Sequence, residues 1–172
     1  MLKYSEYVDF FKTACEKHIE ILHTPSNKHF ERIVLDYDPM MGSSPQIRAF
    51  ISGKKRELKS PIVLLISYVA RYSDERNDAQ TKQMAGGIVV LKPSAAGDFD
   101  GEEAVFDDCE RIAAELMGYT DEKLVLPDRL EWTGVVNERM HDVEGYSGVR
   151  FDFTIVVPAY NEIAYKPSQF GE

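Results

Sequence analysis

Apolar positions along this chain change their period several times, and each change marks an element. Val149, Phe151, Phe153, Ile155 and Val157 alternate with Arg150, Asp152 and Thr154, the period-two pattern of a strand with one buried face. Upstream, the run Ile62 to Tyr72 is apolar on both faces. Ile62, Leu64, Ile66 and Tyr68 share one, and Val63, Leu65 and Val69 the other. This predicts a strand that is central or covered from both sides. It returns through Gly86 to Lys92, and the second hairpin pairs Arg129 to Val136 with Val149 to Pro158. The two predicted tips, Ser73 to Met84 and Asn137 to Gly148, are long and polar. Each holds roughly a dozen residues, where ordinary hairpin loops take about two to five.

Helical spacing appears twice. Tyr4, Tyr7, Val8, Phe11, Ala14, Cys15, His18, Ile19 and Leu22 predict an amphipathic helix from Tyr4 to Leu22. Val105, Phe106, Cys109, Ile112, Ala113, Leu116 and Met117 predict a second. For that helix Asp100 is the expected N-cap, with Glu103 three residues later, and Gly118 the expected C-terminal stop. A strand fits Glu31 to Tyr37. The segment from Ser44 to Leu58 reads two ways. Ser44-Pro45 resembles an N-cap with proline in the first turn, whereas Ile47, Ala49 and Ile51 alternate like a strand. A short helix or irregular turn is the reading preferred here.

The order helix, strand, hairpin, helix, hairpin suggests two loosely similar halves. It predicts an α+β domain over residues 1–158: an antiparallel or mixed sheet built from two hairpins, with the two main helices packed on one face. Residues 159–172 form a C-terminal arm or tail without regular periodicity.

Composition narrows the function classes. At 172 residues the chain is long enough for one domain with a proper core. A formal charge of −9 argues against a general nucleic-acid binder. The basic cluster Lys54-Lys55-Arg56 with Lys59 runs against that trend. It reads as a solvated turn, or else as a contact to an acidic partner. Both cysteines, Cys15 and Cys109, fall on apolar helix faces, which predicts reduced thiols and a cytoplasmic setting. No apolar run approaches the ~20 residues needed to cross a bilayer, and the N-terminus lacks a signal-peptide core.

Candidate chemistry is sparse, and no cofactor is expected. Cys15, His18, His23 and His29 cluster early, but the step from His18 to His23 breaks the spacing of a helical metal pair. Asp36 and Asp38 could share an Mg²⁺ ion, yet a strand-end turn before Pro39 explains them. Asp98 and Asp100 resemble part of a calcium loop whose first position would be Ala96, so the loop fails. Gly42-Ser43-Ser44 is not a nucleophile elbow and Gly86-Gly87 is not a phosphate loop. His141 stands alone in the second tip. A non-enzymatic protein is expected, with a small ligand- or metal-binding domain, or an enzyme using Asp36, Asp38 and His141, as the alternative.

The candidate interface residues lie at the predicted extremities. They are Asp74, Glu75, Arg76 and Lys82 in the first tip, Arg139, His141 and Tyr146 around the second, and Tyr160, Tyr165 and Phe170 in the tail. Trp132 is expected to pack against a helix.

With its N-terminal helix, long-tipped hairpin, second helix from Glu102 to Met117 and closing strand from Gly148 to Pro158, the layout resembles bacteriophage tail terminators and head–tail completion proteins. The resemblance is one of element order and carries no diagnostic motif. It implies a homo-oligomeric ring, commonly hexameric, that meets other tail or neck proteins and belongs to a virion assembled in the host cytoplasm. An acidic surface suits a channel that DNA must traverse without sticking.

Overall fold

The computed structural model describes residues 3–35, 44–74, 80–95, 97–124, 129–159 and 169. The chain runs α1 (Tyr4–Lys17), β1 (Phe30–Ile33), α2 (Ser44–Lys54), β2 (Ile62–Asp74), β3 (Gln80–Pro93), α3 (Phe99–Lys123), β4 (Arg129–Met140) and β5 (Tyr146–Pro158). The strands form one mixed sheet in the order β1-β2-β3-β5-β4. β2–β3 and β4–β5 are the two expected hairpins, and they lie side by side through β3 and β5, which pair antiparallel from Thr81↔Pro158 to Pro93↔Tyr146. β1 joins β2 in parallel, Phe30↔Val63 to Ile33↔Ile66. A parallel neighbour needs a crossover, and α2 lies within that connection. The fold is α+β.

Alternation divides the sheet into two cores. On one face Val63, Leu65, Met84, Ile88, Val90, Val149, Phe151, Phe153, Ile155 and Val157 meet the apolar stripes of α1 and α3. Phe11 stacks on Phe153 at 5.3 Å and stands edge-on to Tyr7 at 5.2 Å. The Tyr7 hydroxyl donates to the Ile66 carbonyl at 3.0 Å, in a space left open by Gly86. Burial pushes that phenol well above its usual range. The opposite face packs Ile62, Leu64, Ile66, Val89 and Leu91 under Ile47 and Ile51 of α2, with Met140 and Val143. Ser44-Pro45 therefore does open a helix, and that helix covers the face left by the other two.

Several boundaries differ from the sequence reading. The first helix stops at Lys17, not Leu22, because Ile19 and Leu22 point to solvent at 83% and 55% exposure and Leu22 takes a left-handed backbone. The first strand is only four residues long and ends at Ile33. The cap of α3 is Asp98, whose carboxylate accepts the Gly101 N–H at 3.0 Å, not Asp100. Gly118 does not stop α3, which continues to Lys123. Both hairpin tips are much shorter than expected. β2 runs on to Asp74 and β3 begins at Gln80; β4 runs to Met140 and β5 begins at Tyr146. Polar residues there have the composition of a loop, but an antiparallel sheet with one solvated face accommodates them as strand.

Candidate interaction surface

The sheet is long and α2 is short, so among the described helices α2 alone lies on this face, and it covers one end. The register places Val69 beside Ala85, Ala85 beside Thr154 and Thr154 beside Glu131 across the other end. The next row is Arg71, Gln83, Val156 and Arg129, in which Val156 is buried and Arg71 exposed. No described helix lies over these rows, and Val69, Arg71, Ala85 and Val136 are exposed. Exposed valines on a strand are unusual enough to count: Val69 is 72% and Val136 58% exposed. The edges match this incompleteness. β1 pairs with β2 only up to Ile66, so among the described residues no strand borders β2 from residue 67 to 74 on that side. β4 forms the opposite edge. Unpaired strand edges present a row of N–H and C=O groups that another chain can match.

The residues expected at the interface fall in three groups. Asp74 closes β2, its side chain outside the described residues, while Glu75, Arg76, Tyr160, Tyr165 and Phe170 lie wholly outside them. Lys82 is not at a tip. It sits within β3, buried, its ammonium 5.6 Å from the centre of the Tyr68 ring and 6.0 Å from that of Tyr72. An ammonium over aromatic faces is attracted by the ring quadrupole. Arg139 and His141 meet near the β4–β5 turn, while Tyr146 faces the other side of the sheet. The Arg139 guanidinium covers the Phe106 ring at 5.2 Å and the His141 ring meets the same phenyl edge-on at 4.7 Å. Tyr146, half-buried, packs against the second core.

That turn is a fixed structure. Val143 is buried, and Val143 and Tyr146 exchange backbone hydrogen bonds at 2.6 and 3.1 Å. Asp142, Glu144 and Gly145 take positive φ. Beneath it, the Ser147 hydroxyl donates to Glu102 at 2.7 Å, while His141 Nδ1 lies 3.2 Å from the same carboxylate oxygen. Ser147 is fully buried and accepts the Asp142 N–H at 3.3 Å. Serine and imidazole compete for one acceptor, and neither touches the other as a nucleophile and base must. The group anchors the first turn of α3 to the sheet.

The early histidines each take a separate structural task. His18 Nε2 lies 2.8 Å from Glu115. The Nδ1 of His23 accepts the backbone N–H groups of His29 and Phe30 at 3.2 and 3.3 Å. His29 donates through Nδ1 to the Pro61 carbonyl at 3.0 Å, and its Nε2 accepts from the Asn27 amide at 2.9 Å. Among the described residues no three His, Cys, Asp or Glu side chains are placed to share a metal ion; Asp36 and Asp38 lie outside them, as does the Trp132 side chain. Cys15 and Cys109 are buried free thiols, Cys109 pushed up to about 12 chiefly by burial and Cys15 raised for the same reason. Such thiols are poor nucleophiles at neutral pH. Of the basic cluster, Lys54 pairs with Glu57 at 3.0 Å and Lys55 reaches Glu144 at 3.5 Å.

No protein-family model matches the chain, and no curated protein matches its sequence.

The histidine arrangement carries a pH prediction. Burial, with the cations Lys12 and Lys28 nearby, holds His23 below its usual value, against the smaller opposite pull of Glu16. The unfolded chain takes up this proton near pH 6.5 and the folded one only at lower pH. Stability is therefore full above about pH 6.5 and falls as the pH drops from there towards the folded-state pKa. Thermal melts from pH 7.5 to 5 check this. His23→Asn, which retains an acceptor but cannot titrate, should show a smaller loss over that window.

What sequence reasoning missed is the exposed set Val69, Arg71, Val136 and Glu138. By sequence Val69 is one more apolar residue of a strand buried on both faces. The signal against that was the pair Ala70-Arg71, which ends the apolar run three residues before the strand itself ends.

Proposed function

We propose that this protein is a non-enzymatic structural component of a phage tail or neck, which works by assembling into a ring and presenting surfaces to its neighbours. The observation that carries the reading is the margin of the sheet: among the described residues β2 is bordered on one side for only part of its length, and Val69 of β2 and Val136 of β4 are exposed on strands at either side of the sheet. Soluble monomers usually blunt such edges with charge, proline or a covering element. Self-assembly finishes the sheet instead. A closed ring of head-to-tail contacts uses two different surfaces on each subunit, and the sheet offers two different edges. A net charge of −9 keeps the lumen of such a ring from binding DNA as it passes. Other tail or neck proteins then meet the ring on its flat sides, and the assembled protein resides in the virion.

Negative-stain electron micrographs of the purified protein test this. Closed rings of uniform diameter are expected. Fields of single subunits at every loading concentration would overturn the reading.

A further inference from the structure

We infer that the stretch of β2 that no described strand borders on its β1 side, residues 67–74, pairs antiparallel with the β4 edge of a second copy of this chain, seating the exposed Val69 and Arg71 against Val136 and Glu138. The inference rests on the self-assembly reading and names the surface that reading requires.

Strand direction supports it first. β2 runs antiparallel to β3, β3 to β5 and β5 to β4, so β4 points opposite to β2. Copies continued side by side in one sheet therefore bring β4 against the next β2 in antiparallel sense. The β3–β5 junction inside the chain already joins the two hairpins that way. Length fits as well. β4 has 12 residues, enough to run along residues 67–74 of β2 while clearing β1.

Side chains supply the specificity. Arg71 and Val69 lie two apart on β2, on the face opposite α1 and α3. Val136 and Glu138 lie two apart on β4 and share that face, being opposite Asp152 and Arg150 of β5. All four are exposed. In antiparallel pairing the order along one strand is reversed on the other. With Val69 opposite Glu138 and Arg71 opposite Val136, the valines meet on one diagonal and the charges on the other. Such diagonals are within reach of long side chains. Arg150, the neighbour of Glu138 in the ladder, is turned to Asp152 at 2.8 Å. Charge complementarity between the two edges, together with two exposed valines, favours a second copy over an unrelated extended peptide.

The test uses charge reversal at two exposed sites, Arg71→Glu and Glu138→Arg, in the full chain. Light scattering of wild type, each single variant, the double variant and a mixture of the singles reads assembly, and circular dichroism melts verify folding. Each single variant places like charges across the junction, and its dissociation constant should rise on the order of tenfold or more. The double variant should reassemble. The two singles mixed should also reassemble, because each β2 edge then finds an opposite charge on the other's β4 edge. If wild type is itself monomeric, the self-assembly reading fails. An oligomer indifferent to both reversals, or singles that neither the mixture nor the double variant restores, overturns the edge pairing and leaves that reading standing.

Discussion

Replacing Gly148 by alanine should lower stability by about 3 kcal/mol or more, a fall in Tm of roughly 6–12 °C for a domain of this size. Gly148 stands in β5 between Leu91 of β3 and Met140 of β4, inside the sheet. A Cβ there would fall on the carbonyl oxygen of Val90, with the Val90 carbonyl carbon 2.9 Å and Leu91 Cα 3.0 Å away. All three are backbone atoms of the adjoining strand and cannot rotate aside. The ladder between β3 and β5 has to open locally. Gly118→Ala is the internal comparison. That glycine lies within α3 with nothing within 4 Å of the added atom. Removing glycine from a helix interior stabilises by about 0.5–1 kcal/mol, so the same substitution should raise Tm there. Differential scanning calorimetry of both variants measures the contrast.

Phe11→Ala should cost about 3–5 kcal/mol, the range for deleting a fully buried ring. Phe11 is 1% exposed and touches three other aromatics: Phe153 of β5, Tyr7 one turn back and Phe10 beside it. With Tyr7 it packs α1 against the sheet. The cavity cannot refill easily, because Tyr7 is tied to the Ile66 carbonyl and Phe153 is fixed by its strand. Phe99→Ala, at 77% exposure, should leave stability within about 0.5 kcal/mol. Urea titration followed by circular dichroism distinguishes them. A loss near 1 kcal/mol for Phe11 would mean that α1 contributes little to the core.

Much of this architecture could be read from the chain. The alternation ending at Pro158, the two helical stripes and the two hairpins all stand where the periodicity places them, because burial against a single core face leaves a simple repeat. The strand ends could not be read. Arg71, Ser73, Thr81 and Gln83 look like loop residues, and only their neighbours across the ladder make them strand. Lys82 looked like a tip charge for the same reason, although the rings of Tyr68 and Tyr72 take its ammonium. Parallel pairing of β1 with β2 leaves no local mark, since the partner is chosen by a crossover about 30 residues long. The histidines illustrate a further limit. Their spacing argued against a metal site, but nothing in it showed that His23 would accept two backbone N–H groups.

The ion pairs on the α3 side deserve a modest weight. Arg111 reaches Glu20 at 2.7 Å and Glu115 at 3.2 Å, and Lys92 holds Asp108 at 2.8 Å. They tie the turn after α1 to α3 and β3. Most of these groups are exposed, where water and salt screen ion pairs, so each contributes little. The apolar cores, and the backbone fit at Gly148, hold the fold.

The proposed role depends on copies of this chain completing one another's sheets. Multi-angle light scattering across a concentration series weighs that most directly. One dominant species is expected, with a mass that is a whole multiple of 19.6 kDa, greater than one, and that persists on dilution into the micromolar range. A mass of one chain at every concentration would contradict it.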